Sequence, residues 1–451
     1  MLVSITGIRR DPIMKRKADT ASSPKGALGY WSAVAIGIGG MVGGGIFAVL
    51  GLSVQLARGA APLAFMVAGL VALITAYSYS RLSVAFPSEG GTITFIDRAF
   101  GSNLLTGTVN ILLWISYIVM LSLYAYAFGS YGAGLFPPHS QALWKHVLIS
   151  GAVLIITALN FLSAELIGRA EDWIVGIKIT ILLIFAGAGA LSIHAARMAP
   201  SAWAAPQATV AGGMIIFLAY EGFELIANTA KDVRSPEKTL PRAYYSSVVF
   251  VIFLYVLVAA VTVGNLPVAQ IVKAKDYALA AAARPFLGQG GYLMITFAAL
   301  LSTASAINAT LYGTARLSYC IAKDGELPSK LERKIWNEPL EGLLITAAFT
   351  LVTANLFDLT NISTMGSTGF LLIFAAVNAA GAKVSNVTGS RRWLGMLGTA
   401  LCLAALGSLL WQTMITRPGH LWVLVAMVGL SFSIELGYRL LTGRKIRLAS
   451  P

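Results

Sequence analysis

Charge is scarce in this chain, and cysteine and histidine are scarcer. Of 451 residues only 12% are Asp, Glu, Lys or Arg, about half the roughly 25% of soluble globular domains. So few charges cannot furnish a water-exposed surface of ordinary size. The two cysteines, Cys320 and Cys402, both fall in apolar runs, which suggests no disulfide framework. The four histidines, His139, His146, His194 and His420, lie at or near the ends of apolar runs on one side. Neither a histidine relay deep in a membrane nor a clustered zinc site is indicated. No G-x-x-x-x-G-K-[ST] stretch occurs, so ATP does not drive the protein through a P-loop. The glycine-rich stretch near residue 40 does not complete a G-x-G-x-x-G, and it follows no soluble strand.

What the chain has instead is apolar length. Hydrophobic residues make up 57% of it, and the mean hydropathy is +0.75. A helix needs about 20 apolar residues to cross a hydrocarbon core of about 30 Å. Runs of that length recur at 31–57, 62–84, 104–135, 143–163, 170–193, 211–230, 242–264, 290–321, 343–357, 360–382, 393–414 and 421–440. The expectation is an all-α polytopic membrane protein of twelve spans. The longest connections are the N-terminal 30 residues and 85–103, 265–289 and 322–342, too short for a soluble domain. The basic N-terminal stretch with Arg9, Arg10, Lys15, Arg16 and Lys17 precedes a span too long for a signal peptide, so the first span is expected to stay.

Twelve spans put both termini on one side, and the Lys/Arg bias identifies that side. It carries 25 basic residues, the opposite side seven, and Lys178 lies within a span. Both termini are therefore expected in the cytoplasm of a cell-membrane protein. The net charge of +14 follows from this topology and from anionic lipid at the cytoplasmic face, without nucleic acid as a partner.

Gly37 to Phe47 places six glycines inside the first span. Each destabilises a helix interior by roughly 0.5–1 kcal/mol relative to alanine, so the run predicts a local break. Unwound backbone is tolerated in a bilayer only where protein or a water-filled cavity satisfies it. A second reading is a packing seam, since Gly39 with Gly43 and Gly40 with Gly44 fit G-x-x-x-G. The sixth span is interrupted as well, by Ala219 Tyr220 Glu221 Gly222 Phe223 Glu224. Spans 1 and 6 hold matching places in two five-span halves, here 30–193 and 211–383, which an odd span count inserts in opposite senses. Paired broken helices in such halves point to a binding site. Spans 11 and 12 (392–440) are additional, and 1–29 and 441–451 are tails.

Three further features carry possible chemistry. Lys178 sits in the apolar run Trp173–Leu182, where a lysine costs about 2.5–3.5 kcal/mol at the centre of the bilayer. It is either a tether to carbonyls of a neighbouring helix or a cation substitute and proton switch. Glu224 suits the start of the second half-helix of span 6 as a cap or packing residue. Glu221, in the break itself, suits substrate contact or proton uptake. Ser302, Thr303, Ser305 and Asn308 in span 8 either pack helices or line the same cavity.

These residues resemble the amino acid-polyamine-organocation superfamily of permeases, over nearly the whole chain. Gly43 Gly44 Gly45 Ile46 Phe47 is similar to its Gly-Ser/Thr-Gly-Ile-Phe, and Pro87 Ser88 Glu89 Gly90 Gly91 to its Pro-x-x-Gly-Gly. Phe217 to Glu224, continuing through Asp232 to Arg242, is the most specific match; Ala315 Arg316 with Asp324 to Pro328 adds the end of span 8. The resemblance implies the five-plus-five inverted-repeat (LeuT-type) fold. It implies that carbonyls around Gly39, Gly40 and Met41 and around Phe217 and Tyr220 hold an ammonium group. Backbone N–H groups at Gly44, Gly45 and Ile46 would hold a carboxylate, and Gly43, Glu221 and Gly222 complete the substrate-binding residues. Lys178 matches the lysine that sodium-independent members share, near span 1 carbonyls and span 8 hydroxyls, here Ser302 or Ser305. Two departures stand out: Gly44 lacks the common hydroxyl, and Lys231 replaces an acidic residue.

The reading is a secondary transporter of amino acids by alternating access, sodium-independent and proton-coupled, with no cofactor and no catalytic residue. Its substrate partners are an amino acid or amine and protons. An amino acid/polyamine exchanger is the alternative within transport, and a non-transporting receptor of the same fold is an alternative outside it. No nucleophile and base pair across the interior to suggest an enzyme. Oligomeric state and the identity of the substrate leave no mark on the sequence.

Overall fold

With no water in a bilayer core, a chain must satisfy its backbone polar groups internally, as helices or a closed barrel. Here helices form. In the computed structural model, residues 27–162, 164–323 and 340–442 are described. Among them there is no strand beyond isolated bridges at Leu28–Val233 and Arg58–Trp203. The helices are α1 (Tyr30–Met41), α2 (Gly45–Ala57), α3 (Ala61–Ala85), α4 (Thr92–Phe100), α5 (Leu104–Ala133), α6 (Gln141–Leu162) and α7 (Ala164–Ala190). There follow α8 (Pro206–Met214), α9 (Leu225–Asn228), α10 (Pro236–Asn265), α11 (Val268–Lys273) and α12 (Ala278–Lys323). The last five are α13 (Leu340–Leu356), α14 (Leu359–Lys383), α15 (Ser385–Thr388), α16 (Arg392–Thr416) and α17 (Leu421–Thr442).

Nine helices of the described residues are long and apolar enough to cross a membrane, and two bent pairs raise the number to as many as eleven. The bent pairs are α1 with α2, at 48°, and α8 with the segment Phe217–Asn228, at 49°. These are spans 1 and 6, broken where the sequence predicts. At the expected ninth span stands α13, a shorter apolar helix. The protein is an all-α polytopic membrane protein.

The connections are more helical than their composition suggests. The 85–103 connection holds α4, and 265–289 holds α11 and the first turns of α12, which kinks at Gly288 (φ +63°). Lys238 and Arg242 lie on the first two turns of α10, because Pro236 opens that helix at a position where a missing N–H is harmless. The motif residues Asp324–Pro328, most of 322–342 and nearly all of both tails lie outside the described residues.

Burial decides which helices are central. Of the apolar windows, that of α5 is 89% buried and that of α17 only 22%, so α5 is the axis and α17 a peripheral, lipid-facing span. α5 packs against α6, α12, α13, α14 and α17; α10 packs against α3 and α1. Near the span 6 break, Tyr79, Phe95, Phe223, Tyr244 and Phe374 form edge-to-face and tilted ring pairs with centroids 5.3–6.4 Å apart. Such pairs add about 0.5–1.5 kcal/mol each beyond area burial, and here they fix the chain leaving that break.

Contacts of connecting residues group at two places. Lys145 pairs with Asp276 at 3.0 Å, Lys275 donates to Thr360 at 2.8 Å, and Arg417 meets Asp358 at 3.5 Å. Elsewhere Arg234 N–H donates to the Leu28 carbonyl at 2.8 Å, Arg316 meets Glu89 at 3.6 Å, and Arg391 N–H donates to the Tyr77 hydroxyl at 2.6 Å. The two groups correspond to the connections that the alternation of spans assigns to opposite sides.

Candidate functional site

A helix that stops in mid-membrane leaves carbonyls at its end and N–H groups at the next start without intrahelical partners. The break of span 1 is short. Val42 N–H closes α1 on the Ile38 carbonyl at 2.7 Å, and α2 begins at Gly45. Three other spans supply donors to the carbonyls at the end of α1. Lys178 Nζ, on α7, donates to the Gly39 carbonyl at 3.1 Å. The Tyr255 hydroxyl, on α10, donates to the Met41 carbonyl at 2.6 Å. Ser302 Oγ, on α12, reaches the carbonyls of Gly43 at 2.7 Å and Val42 at 3.2 Å. At the other edge, no side chain caps α2, since its N-cap is Gly44. The N–H groups of Gly45 and Ile46 thus open a helix whose positive end faces the break.

Span 6 unwinds over a longer stretch, from Ile215 to Glu224, with a 3-10 turn at Phe217–Tyr220. The Ile215 carbonyl accepts from Ser363 at 2.5 Å and Ser367 at 3.0 Å, both on α14, while Leu218 N–H donates to Ser367 Oγ at 3.2 Å. The Ala219 carbonyl lies 3.3 Å from the Tyr255 hydroxyl, so one phenol spans both breaks. Glu224 turns back rather than capping α9. One carboxylate oxygen accepts from Gly222 N–H at 2.6 Å, and the other accepts from the Tyr117 hydroxyl at 2.8 Å. Glu221 is buried in the break itself, three residues before Glu224.

The two breaks touch through glycine. A Cβ on Gly40 would stand 2.7 Å from the Gly222 carbonyl oxygen, and one on Gly222 would stand 2.5 Å from Met41 N. Gly222 also holds φ at +118°, where only glycine is unstrained. Gly45 lies against Ala219, at 2.9 Å from a virtual Cβ to its Cα. The glycine run is therefore both a break and a seam, with the seam formed against span 6 itself.

The structure brings most of the predicted residues together. Gly39, Gly40, Met41, Gly43, Gly44, Gly45 and Ile46 form one side; Gly222 faces them, with Glu221 beside it in the chain; Lys178 and Ser302 hold the carbonyl end. Ser305 lies one turn along α12 from Ser302, buried. Phe217 and Tyr220 are fully buried and serve packing: Phe217 stacks edge-on to Phe374 at 5.8 Å, and the Tyr220 hydroxyl donates to the Phe65 carbonyl at 2.8 Å. The missing hydroxyl at Gly44 has a steric reason, because a Cβ there would stand 2.5 Å from Tyr124 Cδ1 and 2.8 Å from Thr303 Cγ2. Sequence reasoning missed Tyr117, Tyr124, Tyr255, Ser363 and Ser367. The signal for Tyr255 is a lone hydroxyl in the apolar stretch Val248–Val258, and for the serines an i, i+4 pair in α14.

Comparison with known proteins agrees with this geometry. The family described as amino acid permease matches residues 28–433. An uncharacterized protein of Methanocaldococcus jannaschii is 37% identical over 418 residues, covering 92% of this chain and 96% of its own. The inner membrane transport protein YbaT of Escherichia coli is 33% identical over 368 residues, 81% of this chain and 84% of its own. The methylthioribose transporter of Bacillus subtilis is 25% identical over 393 residues, 82% and 84% respectively. Similarity of that extent, over a chain whose first and sixth spans break against each other, shows that the chain belongs to the amino acid permease family, membrane transporters within the amino acid-polyamine-organocation superfamily.

Proposed function

We propose that the protein is a secondary active transporter that moves an amino acid across the cell membrane by alternating access, coupled to protons and independent of sodium. The family supports an amino acid or related compound as cargo, and the breaks offer both charges that a zwitterion needs. The N–H groups of Gly44, Gly45 and Ile46, at the positive end of α2, receive the carboxylate. Carbonyls of α1 near Gly40 and of Phe217–Tyr220 receive the ammonium. Without a hydroxyl at Gly44, the carboxylate relies on backbone donors alone. The excess of Lys and Arg in connections on the side of the termini supports a cytoplasmic place for both.

The observation that carries the coupling is Lys178. Its side chain is fully buried and its ammonium donates to the Gly39 carbonyl at the end of α1. A fixed cation there takes the place a mobile metal cation would occupy, so the site needs no sodium. A proton leaving Lys178 removes the charge that strengthens its hydrogen bond to the Gly39 carbonyl and so loosens α1, and its return restores the contact. The reading is tested by uptake into proteoliposomes of the twenty amino acids and common polyamines under imposed proton or sodium gradients. Proton-driven, sodium-independent uptake supports it, and uptake that demands sodium overturns it.

Buried Glu221 favours a second reading. Two carboxyls at one break attract a cargo with an extra positive charge, as in an amine or polyamine exchanger. Counterflow that exceeds proton-driven uptake, with a cationic substrate, selects that reading; binding without flux would select a receptor.

A further inference from the structure

Away from the breaks, a cavity of about 320 Å³ opens between the start of α1 and the first turns of α10, lined by Tyr30, Lys238, Thr239 and Arg242. Its volume is at the lower end for small-ligand sites. Lys238 and Arg242 are both exposed, one helical turn apart on α10, and no ion pair to either is found among the described residues. The Thr239 hydroxyl proton is spent on the Arg234 carbonyl at 2.7 Å, and the Tyr30 hydroxyl donates to Ser246 Oγ at 2.8 Å. The cavity therefore presents two cations with no ion pair among the described residues, which carry its affinity, since the two hydroxyl protons are already committed. It suits an anion.

The surroundings say which anion. Residues 238, 242, 249 and 253 follow the spacing of one helix stripe, and Val249 and Phe253 are 52% and 64% exposed. The stripe thus runs from charge into an uncovered apolar face of a membrane-spanning helix. At the rim, Trp31 is 77% exposed with its ring 5.0 Å from that of Tyr30, and such aromatics concentrate at the membrane–water boundary. Charge over an apolar track at the interface matches a lipid, with its headgroup in the cavity and its chains along Val249 and Phe253. The N-terminal tail is a poor occupant because it is itself basic, with Arg9, Arg10, Lys15, Arg16, Lys17 and Lys25 against Asp11 and Asp19.

We propose that this cavity binds the phosphate headgroup of an anionic phospholipid in the leaflet on the α1–α10 side, and that the lipid adds to the contacts joining the start of α1 to α10. A bound phosphate adds charged contacts beside the Tyr30–Ser246 hydrogen bond. The inference goes beyond the transport reading and is read out without transport.

The full chain, purified in detergent, is titrated with phosphatidylglycerol and with phosphatidylcholine of the same acyl chains, and bound lipid is counted by native mass spectrometry. Each basic residue near a lipid surface contributes about a kilocalorie per mole, so two of them predict a preference of roughly tenfold to thirtyfold for phosphatidylglycerol. The double variant Lys238→Gln, Arg242→Gln reduces that preference to a few-fold or less. Lys231→Gln, an exposed lysine outside the cavity lining, leaves it unchanged. Equal retention of the two lipids, or a preference that survives the double variant, overturns the proposal. Displacement by millimolar inorganic phosphate overturns the lipid source in favour of a soluble anion. Should the double variant fail to fold, the wild-type melting temperature decides: it rises with phosphatidylglycerol and not with phosphatidylcholine, and equal rises refute the site.

Discussion

Lys178→Met separates a coupling lysine from a structural tether, because the two roles predict different responses of the folded variant to a pH gradient. The variant keeps a flexible apolar side chain of similar length. It loses the charged hydrogen bond to the Gly39 carbonyl, and bonds of that kind are worth about 1.5–3 kcal/mol. It also removes a buried charge, relieving about 2.5–3.5 kcal/mol. These nearly cancel. The net change is within about 2 kcal/mol of zero, and on the stabilising side if anything. A coupling lysine therefore gives a variant that folds with a melting temperature close to wild type, yet loses uptake driven by a pH gradient by an order of magnitude or more. Exchange of labelled for unlabelled substrate at equal pH persists in that case, because it needs no net proton movement.

A tether predicts the same small change in stability but a different activity. If the bond to Gly39 serves only to hold α1, the folded variant still responds to the gradient as the wild type does. The assay is uptake of labelled substrate into proteoliposomes with an imposed pH step, repeated with sodium on either side and normalised to folded protein. Undiminished pH-driven uptake by Lys178→Met would refute the coupling role whatever its stability.

Three further substitutions test the geometry of the breaks. Gly222→Ala adds a Cβ at φ +118° and 2.5 Å from Met41 N. Backbone strain of about 1–3 kcal/mol then joins overpacking of about 1–3 kcal/mol, and the monodisperse fraction on size-exclusion chromatography should fall sharply; a wild-type profile would contradict the contact with Gly40. Gly44→Ser supplies the hydroxyl of the Gly-Ser/Thr-Gly-Ile-Phe motif that this stretch resembles, but meets Tyr124 and Thr303. Uptake should drop, and partial recovery in Gly44→Ser, Tyr124→Ala would identify the ring as the obstacle. Tyr255→Phe deprives the Met41 carbonyl of its 2.6 Å donor, costing about 1–3 kcal/mol if the carbonyl stays dry. Thermal melting measures that loss, and an unchanged melting temperature means that water replaces the hydroxyl.

The sequence marks the breaks because glycine and paired carboxylates are costly inside an apolar helix, and cost is visible without coordinates. Six glycines in span 1 and Tyr220–Glu224 in span 6 are of that kind, as is Lys178. What satisfies a break is less visible. Tyr255 and Tyr117 stand in largely apolar membrane-spanning stretches, where a phenol reads as packing until its hydroxyl is seen on a particular carbonyl or carboxylate. Glu224 reads as a cap by its place before α9, yet its carboxylate serves Gly222 N–H and Tyr117, a choice set by the reversed chain rather than by position. Gly44 reads as a lost hydroxyl, and only the ring of Tyr124 shows why. Helix ends are blurred for a related reason: Pro236 permits α10 to begin while the composition is still that of a charged loop.

The two halves of span 1 are held by different forces, and this bears on which of them can move. In α1 only Ala33, Val34, Gly37 and Met41 are buried, and side-chain donors on α7, α10 and α12 meet its terminal carbonyls. In α2 every residue from Gly45 to Val54 is buried, with Gly45 packed on Ala219 and Gly51 on the backbone of Lys275. Hydrogen bonds to carbonyls can be handed to water at a net loss of about 0.5–1.5 kcal/mol each. Close packing cannot be handed over, because a gap forfeits its dispersion contacts outright. Displacing α1 therefore exchanges contacts, whereas displacing α2 destroys them. The compliant half is the one whose end Lys178 holds, which is where a single proton has the most leverage.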